Sequence, residues 1–189
     1  MNTSKTKKVT VTGMLGALAS AVMFFELNVP FIPPFLKFDF SDIPAIIGAA
    51  MFSPSVGVLV LLIKNLIHLF VSSTGGVGEA ANFVIGCAYI IPIAFWWKKR
   101  RSAAVICGIL LMTVTAMLAN SYVLIPLYEK IMPIEQILQM CGSANPNIDS
   151  VFDYVIFGVA PFNILKGTVN LCLSAAVLKC IPKRLLKNI

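Results

Sequence analysis

A-P-F-N-I-L-K-G-T-V-N, residues Ala160 to Asn170, opens the last long apolar run of the chain, which continues to Ile181. Asn163, Lys166 and Asn170 stand at i, i+3 and i+7, so a helix puts all three on one face. A run of roughly 20 apolar residues crosses a membrane, and a lysine at its centre costs ~2.5–3.5 kcal/mol on insertion scales. Two amides and an ammonium on one stripe inside hydrocarbon predict a ligand site. The competing reading is a lysine neutralised by another helix or snorkelling to the surface.

The rest of the composition agrees with a lipid setting. Of 189 residues, 58% are hydrophobic and only 12% charged, with a mean hydropathy of +0.89. Soluble domains are about a quarter charged, so this chain is too apolar to cover itself in water. It reads as a single integral-membrane domain over residues 1–189, with the lipid bilayer as its first partner. A net charge of +7 would suggest nucleic acid in a soluble protein. Here the basic residues flank apolar runs and read as topology signals, so no nucleic-acid partner is expected. Cys87, Cys107, Cys141, Cys172 and Cys180 form no close pairs, which argues against a metal site or a disulfide framework.

Six spans are expected. Lys5, Lys7 and Lys8 precede a first span over Val9–Leu27. A signal peptide is the alternative there, but the apolar character continues past Ala21. Gly13, Ala17 and Ala21 repeat at i, i+4 and i+8, a small-residue stripe that lets another helix approach closely, from a partner or from the same bundle. Asn28 to Pro44 holds four prolines and alternating phenylalanines, which excludes a regular helix and predicts an ordered, apolar first loop. Short span two has its core at Ala45–Phe52, span three runs Ser55–Val71, span four Ala80–Trp97 and span five from Ala103 to about Val123. An amphipathic patch, Ile134–Met140, lies before span six, where Pro161 either begins the helix or kinks it.

Orientation follows from the basic residues. With the N-terminus inside and six crossings, the inner side holds Lys5, Lys7, Lys8, Lys98, Lys99, Arg100, Arg101, Lys179, Lys183, Arg184 and Lys187, eleven of the 15. Both termini are therefore expected in the cytoplasm of a multi-pass protein of the cell membrane. All eight acids, and the intramembrane Lys64, Asn65, His68, Asn82, Asn120, Asn163 and Lys166, then fall toward the outer side, with Asn170 near the midplane. A channel or proton relay needs polar groups along its whole depth. Polarity at one end predicts a pocket open outward and sealed below.

Asparagines offer both donors and acceptors for an imide or amide edge. Phenylalanines of the first loop, Phe40 among them, and Phe162 suit a flat apolar ring. A neutral or weakly anionic planar heterocycle fits this set better than a sugar or a metal ion. An empty dry crevice, with Lys166 facing lipid or tied up by a carboxylate, would speak against capture. No catalytic residues are expected: Gly75–Gly78 is a glycine-rich turn and not a phosphate loop, no H-E-x-x-H occurs, and no span carries paired carboxylates. Any uphill transport needs energy from a partner.

F-D-F-S-D-I-P-A (Phe38–Ala45), L-I-K-N-L-I-H (Leu62–His68), G-E-A-A-N-F (Gly78–Phe83) and P-F-N-I-L-K-G (Pro161–Gly167), with the stripe at Ala17 and Ala21, resemble the riboflavin-specific branch of the substrate-capture S components of energy-coupling factor (ECF) transporters. The resemblance covers essentially the whole chain. It implies high-affinity riboflavin binding at the extracellular end, under the first loop, with riboflavin a transported substrate and no cofactor or metal. It implies Asn120, Asn163, Lys166 and Asn170 as ligand-facing residues, with Glu79 and Asn82 at the edge of the match; Phe40 joins the expected site from the apolar first loop. Ala17 and Ala21, with Gly13 added from the same spacing, would dock on a membrane scaffold, the T component, driven by two ABC-type ATPases. The alternatives are an S component for thiamine or biotin, a small membrane enzyme using Glu79, Asp39 or Asp42, and a purely structural membrane subunit.

Overall fold

The computed structural model describes residues 3–33, 36–72, 74–97 and 99–180. Lys98 of the basic run, Pro34 of the first loop and the tail with Ile181, Lys183, Arg184 and Lys187 lie outside the described residues.

Among the described residues the regular structure is helical apart from one short antiparallel pairing. The helices are α1 (Thr3–Met23), α2 (Asp42–Met51), α3 (Pro54–His68), α4 (Val77–Trp96), α5 (Arg101–Ala119), α6 (Ile125–Tyr128), α7 (Ile134–Ala144), α8 (Val151–Asp153) and α9 (Ala160–Cys180). Strands β1 (Leu27–Asn28) and β2 (Lys37–Phe38) pair across the base of the first loop. Among the described residues, four segments are long and apolar enough to cross a membrane: Pro54–Val71, Val77–Trp96, Arg101–Tyr128 and Val151–Cys180. The ten residues of α2 reach about 15 Å, half of a ~30 Å hydrocarbon core.

Helix α2 sits at the centre of the packing, against α1, α3, α4 and α9. Its small residues explain how: Ala45, Ala49 and Ala50 are buried, and small side chains let helix backbones approach where lipid offers no hydrophobic gain. Gly57 of α3 completes the crossing, since a Cβ there would lie 2.6 Å from Ala49 Cβ and 2.8 Å from Ile90. On the other side of the bundle, α5 packs on α4 and α9. A second core gathers Leu36 and Phe38 of the loop with Ile137 and Cys141 of α7 and Val159 and Phe162 of the last rod.

The last two rods differ from the sequence-based expectation. The fifth continues past Val123 through a π segment, Asn120–Leu124, into α6. The sixth begins at Val151 and reaches α9 through a π segment, Tyr154–Val159, so Pro161 lies inside a helix instead of opening it. Each π segment ends two residues before a proline, Pro126 and Pro161. Proline lacks the N–H for the carbonyl four residues back and crowds it, and a widened turn relieves that crowding. The Phe157 carbonyl, deprived of its donor by Pro161, accepts from Asn145 Nδ2 at 3.4 Å.

Candidate ligand-binding site

A cavity of about 610 Å³ opens between the first loop, the end of α3, the start of α4, the α5–α6 junction and α9. That volume is in the range of small-molecule sites. Asp39, Glu79, Asn82, Asn120, Asn163 and Lys166 line it, with Phe162, Met112, Ala116 and Ile85 as apolar wall. Five of the expected ligand-facing residues are thus brought together from three separate rods.

Asn163, Lys166 and Asn170 do share the inward face of α9, all buried. Their environments differ. Lys166 Nζ donates to Asp39 Oδ2 at 2.6 Å, so the free ammonium expected from the helix pattern is corrected: the first loop supplies its counter-ion. Half of the contrary picture, a lysine tied to a carboxylate, is therefore met. The other half is not, because the crevice is lined with polar side chains and the ion pair itself forms part of its wall. Asn170 is 0% exposed and does not line the cavity; its Nδ2 donates to the Asp39 carbonyl at 3.2 Å. Asn163 Nδ2 donates to the Val159 carbonyl at 2.8 Å, leaving its Oδ1 without a partner among the described residues.

Asn120 opens the first π segment and is already engaged. Its Nδ2 donates to the Ala116 carbonyl at 2.9 Å, and its Oδ1 accepts from the Tyr154 hydroxyl at 3.0 Å. Tyr154 opens the other π segment, so this bond ties the two irregular turns together beside the cavity. Asn82 carries a buried Oδ1 with no hydrogen-bond partner. An orphaned buried acceptor costs ~1–3 kcal/mol, so it is poised to take a donor from a ligand. Phe40 is not on the cavity wall; it meets Phe38 edge-on at 5.3 Å, and Phe38 meets Phe162 at 6.3 Å and 90°. Phe162 is the aromatic at the site, and Phe40 supports it through Phe38.

Every acid of the cavity has a basic neighbour. Lys64 Nζ bonds Asp42 Oδ1 at 2.5 Å, Lys37 Nζ bonds Glu26 Oε2 at 2.5 Å, and His68 Nδ1 lies 2.9 Å from Glu79 Oε1. Glu79 Oε2 also accepts from the Ser72 hydroxyl at 2.7 Å. His68 therefore meets Glu79, while Lys64, four residues earlier, points to other partners. Burial alone would push the Asp39 carboxyl up, but the charges of Lys166 and then Lys64, with hydrogen bonds from Lys166 and Ser41, hold it below the usual carboxylate range. The Asp39 and Asp42 pairings were missed from sequence. Two acids in an apolar loop and two lysines inside apolar runs were the available signal.

Gly13, Ala17 and Ala21 lie away from this site, exposed on α1. The opposite face of α1 packs inward, where a Cβ on Gly16 would lie 2.8 Å from Ile63.

The model of the family described as "ECF transporter, substrate-specific component" matches residues 7–178. A protein named riboflavin transporter RibU from Staphylococcus aureus is 33% identical over 89% of this chain and 87% of its own length. One named riboflavin transporter FmnP from Bacillus subtilis is 33% identical over 87% and 86%. A solved chain described as the S component of a bacterial ECF transporter superposes with a TM-score of 0.75 at 29% identity, covering 93% of this chain and 95% of that one.

Proposed function

Because the chain belongs to the substrate-specific components of ECF transporters, matched over residues 7–178, we propose that it captures riboflavin at the outer face of the cell membrane. It is a membrane-embedded transporter component and not an enzyme. It works with a membrane scaffold, the T component, and ATPase subunits, which supply the energy the chain has no motif to harvest; two ABC-type copies complete the proposed assembly. The chain acts as one domain with six crossings, α1 and the short α2 adding to the four segments named above, and with both termini cytoplasmic. The basic residues flanking the spans support this orientation.

One observation carries the ligand class: each lysine at or beside the cavity is already taken by a carboxylate, Lys37 by Glu26, Lys64 by Asp42 and Lys166 by Asp39, while Glu79 is held by His68 and the Ser72 hydroxyl. An anionic biotin would need a lysine not already taken by a carboxylate. A neutral flavin needs none. Its single imide N–H suits an orphaned amide oxygen such as Asn82 Oδ1, its carbonyls suit the Lys166 ammonium, and its rings suit the wall around Phe162. The named relatives support the same vitamin. In this reading Asn82, Asn120, Asn163, Lys166 and Glu79 contact or frame the flavin, while Asn170 and Phe40 act from behind.

The test uses the ligand's own colour. Protein purified from riboflavin-fed cells should be yellow and, once stripped, should quench added riboflavin fluorescence at a 1:1 ratio. Colourless protein that leaves the fluorescence of riboflavin unchanged, while binding thiamine or biotin, would overturn the assignment.

A further inference from the structure

Lys64 pairs with an acid of the cavity without lining the cavity itself. It is 0% exposed. A buried ion pair is often no more stable than an apolar pair of the same size, so stability alone is a weak reason for it. Its partners indicate another. Lys64 Nζ donates to Asp42 Oδ1 at 2.5 Å and to Ser41 Oγ at 2.6 Å. The Ser41 hydroxyl and the Ser41 amide, the latter at 2.8 Å, both donate to Asp39 Oδ1. Asp39 then takes Lys166 on its other oxygen and Asn170 on its carbonyl. Every group in this chain is buried.

We propose that Lys64 is a positioning residue for ligand capture: from α3 it fixes residues 39–42, and through them the ammonium of Lys166 and the amide of Asn170. The proposal rests on the riboflavin reading of the cavity. The physical need lies in the first loop, whose ladder is two residues long and whose prolines donate no backbone bond. Side chains must therefore hold it. Lys64 sits on a helix packed against α1, α2 and α4, a rigid base for that anchor. Linked donors and acceptors of this kind polarise one another in a low-dielectric interior, so breaking the first link loosens the later ones. Lys64 is also the second cation, after Lys166, that holds the Asp39 carboxyl low. A ligand in the cavity then meets a loop already set in place.

The full-length protein in lipid nanodiscs tests this with two variants, Lys64→Met and Ser41→Ala, and two measurements. Hydrogen exchange of the amides at residues 36–42 needs no ligand. It should quicken at least tenfold in Lys64→Met and severalfold in Ser41→Ala, with α4 and α5 protected as before. Riboflavin dissociation should quicken at least tenfold in Lys64→Met, and the double variant should dissociate no faster than Lys64→Met alone, because both act in one chain. Unchanged exchange in the loop overturns the proposal. So does faster exchange with an unchanged dissociation rate, which would leave Lys64 a packing residue. If Lys64→Met fails to fold, Ser41→Ala carries the same two readouts. If wild-type protein binds no riboflavin, the functional reading fails on its own, and loop exchange alone decides whether Lys64 holds the loop.

Discussion

Lys166 shows how one residue serves two demands. Its ammonium sits in a low-dielectric interior, where an uncompensated charge costs several kcal/mol, and Asp39 meets that cost at 2.6 Å. The same pair remains on the cavity wall, where it can still face a flavin carbonyl. Asn163→Ala and Lys166→Ala are each expected to weaken riboflavin binding at least tenfold, about 1.4 kcal/mol, by fluorescence titration. Lys166→Ala should also lower the unfolding temperature, because it strands the Asp39 carboxylate, whereas Asn163→Ala should not. The Asp39 carboxyl is held below its ordinary value, so the folded state binds its proton less readily than the unfolded chain. Its stabilising share is complete above the ordinary carboxylate value of about 3.9 and fades as the pH falls through the lowered folded value. The stability gap between wild type and Asp39→Asn should therefore stay constant from about pH 8 to about pH 5 and close only below about pH 4, read as unfolding temperature against pH.

At the scale of elements, two irregularities shape the cavity. The π segments at Asn120–Leu124 and Tyr154–Val159 each precede a proline, and each begins with a side chain, Asn120 or Tyr154, that bonds the other across the rods. Pro126 and Pro161 thus accompany the widening in these two rods, whereas Pro92 sits in α4 without one, and the widening after Ala119 sets where the amide of Asn120 stands. Helix crossings are the second device. At Gly57 a methyl group would lie 2.6 Å from Ala49 Cβ and 3.0 Å from the Ala45 carbonyl, and backbone cannot give way cheaply. Gly57→Ala should cost about 1–3 kcal/mol through overpacking, seen as a lower thermal unfolding midpoint.

Across the whole molecule, the proposed binding and docking surfaces lie apart. The cavity lies among the first loop, α4, the α5–α6 rod and α9, while Gly13, Ala17 and Ala21 are exposed on α1. A Cβ added at Gly13 meets nothing within 4 Å among the described residues. Gly13→Leu should therefore leave riboflavin affinity within about twofold of wild type, since the fold has room for it, and still reduce co-purification with the scaffold and riboflavin uptake in cells. A uniform loss of ligand binding in this variant would mean that α1 serves the site and not the partner.

Much of this was legible in the chain itself. The long apolar runs, the basic residues at their ends, the polar stripe at Asn163, Lys166 and Asn170 and the ordered proline-rich loop all follow from length, periodicity and composition, which are local physics. What only the tertiary structure decided was pairing. Asp39 meets Lys166 across 127 residues of sequence and Asp42 meets Lys64 across 22, and no spacing rule links residues on different elements. Nor does periodicity tell that Asn170 turns to a loop carbonyl while Asn163 lines the cavity, or that Phe162 lines the wall with Phe40 two rings behind. A helix pattern says which side of a rod is polar. How closely neighbouring rods cross, set here by small residues at Ala49 and Gly57, decides which polar groups meet one another and which are left for a ligand.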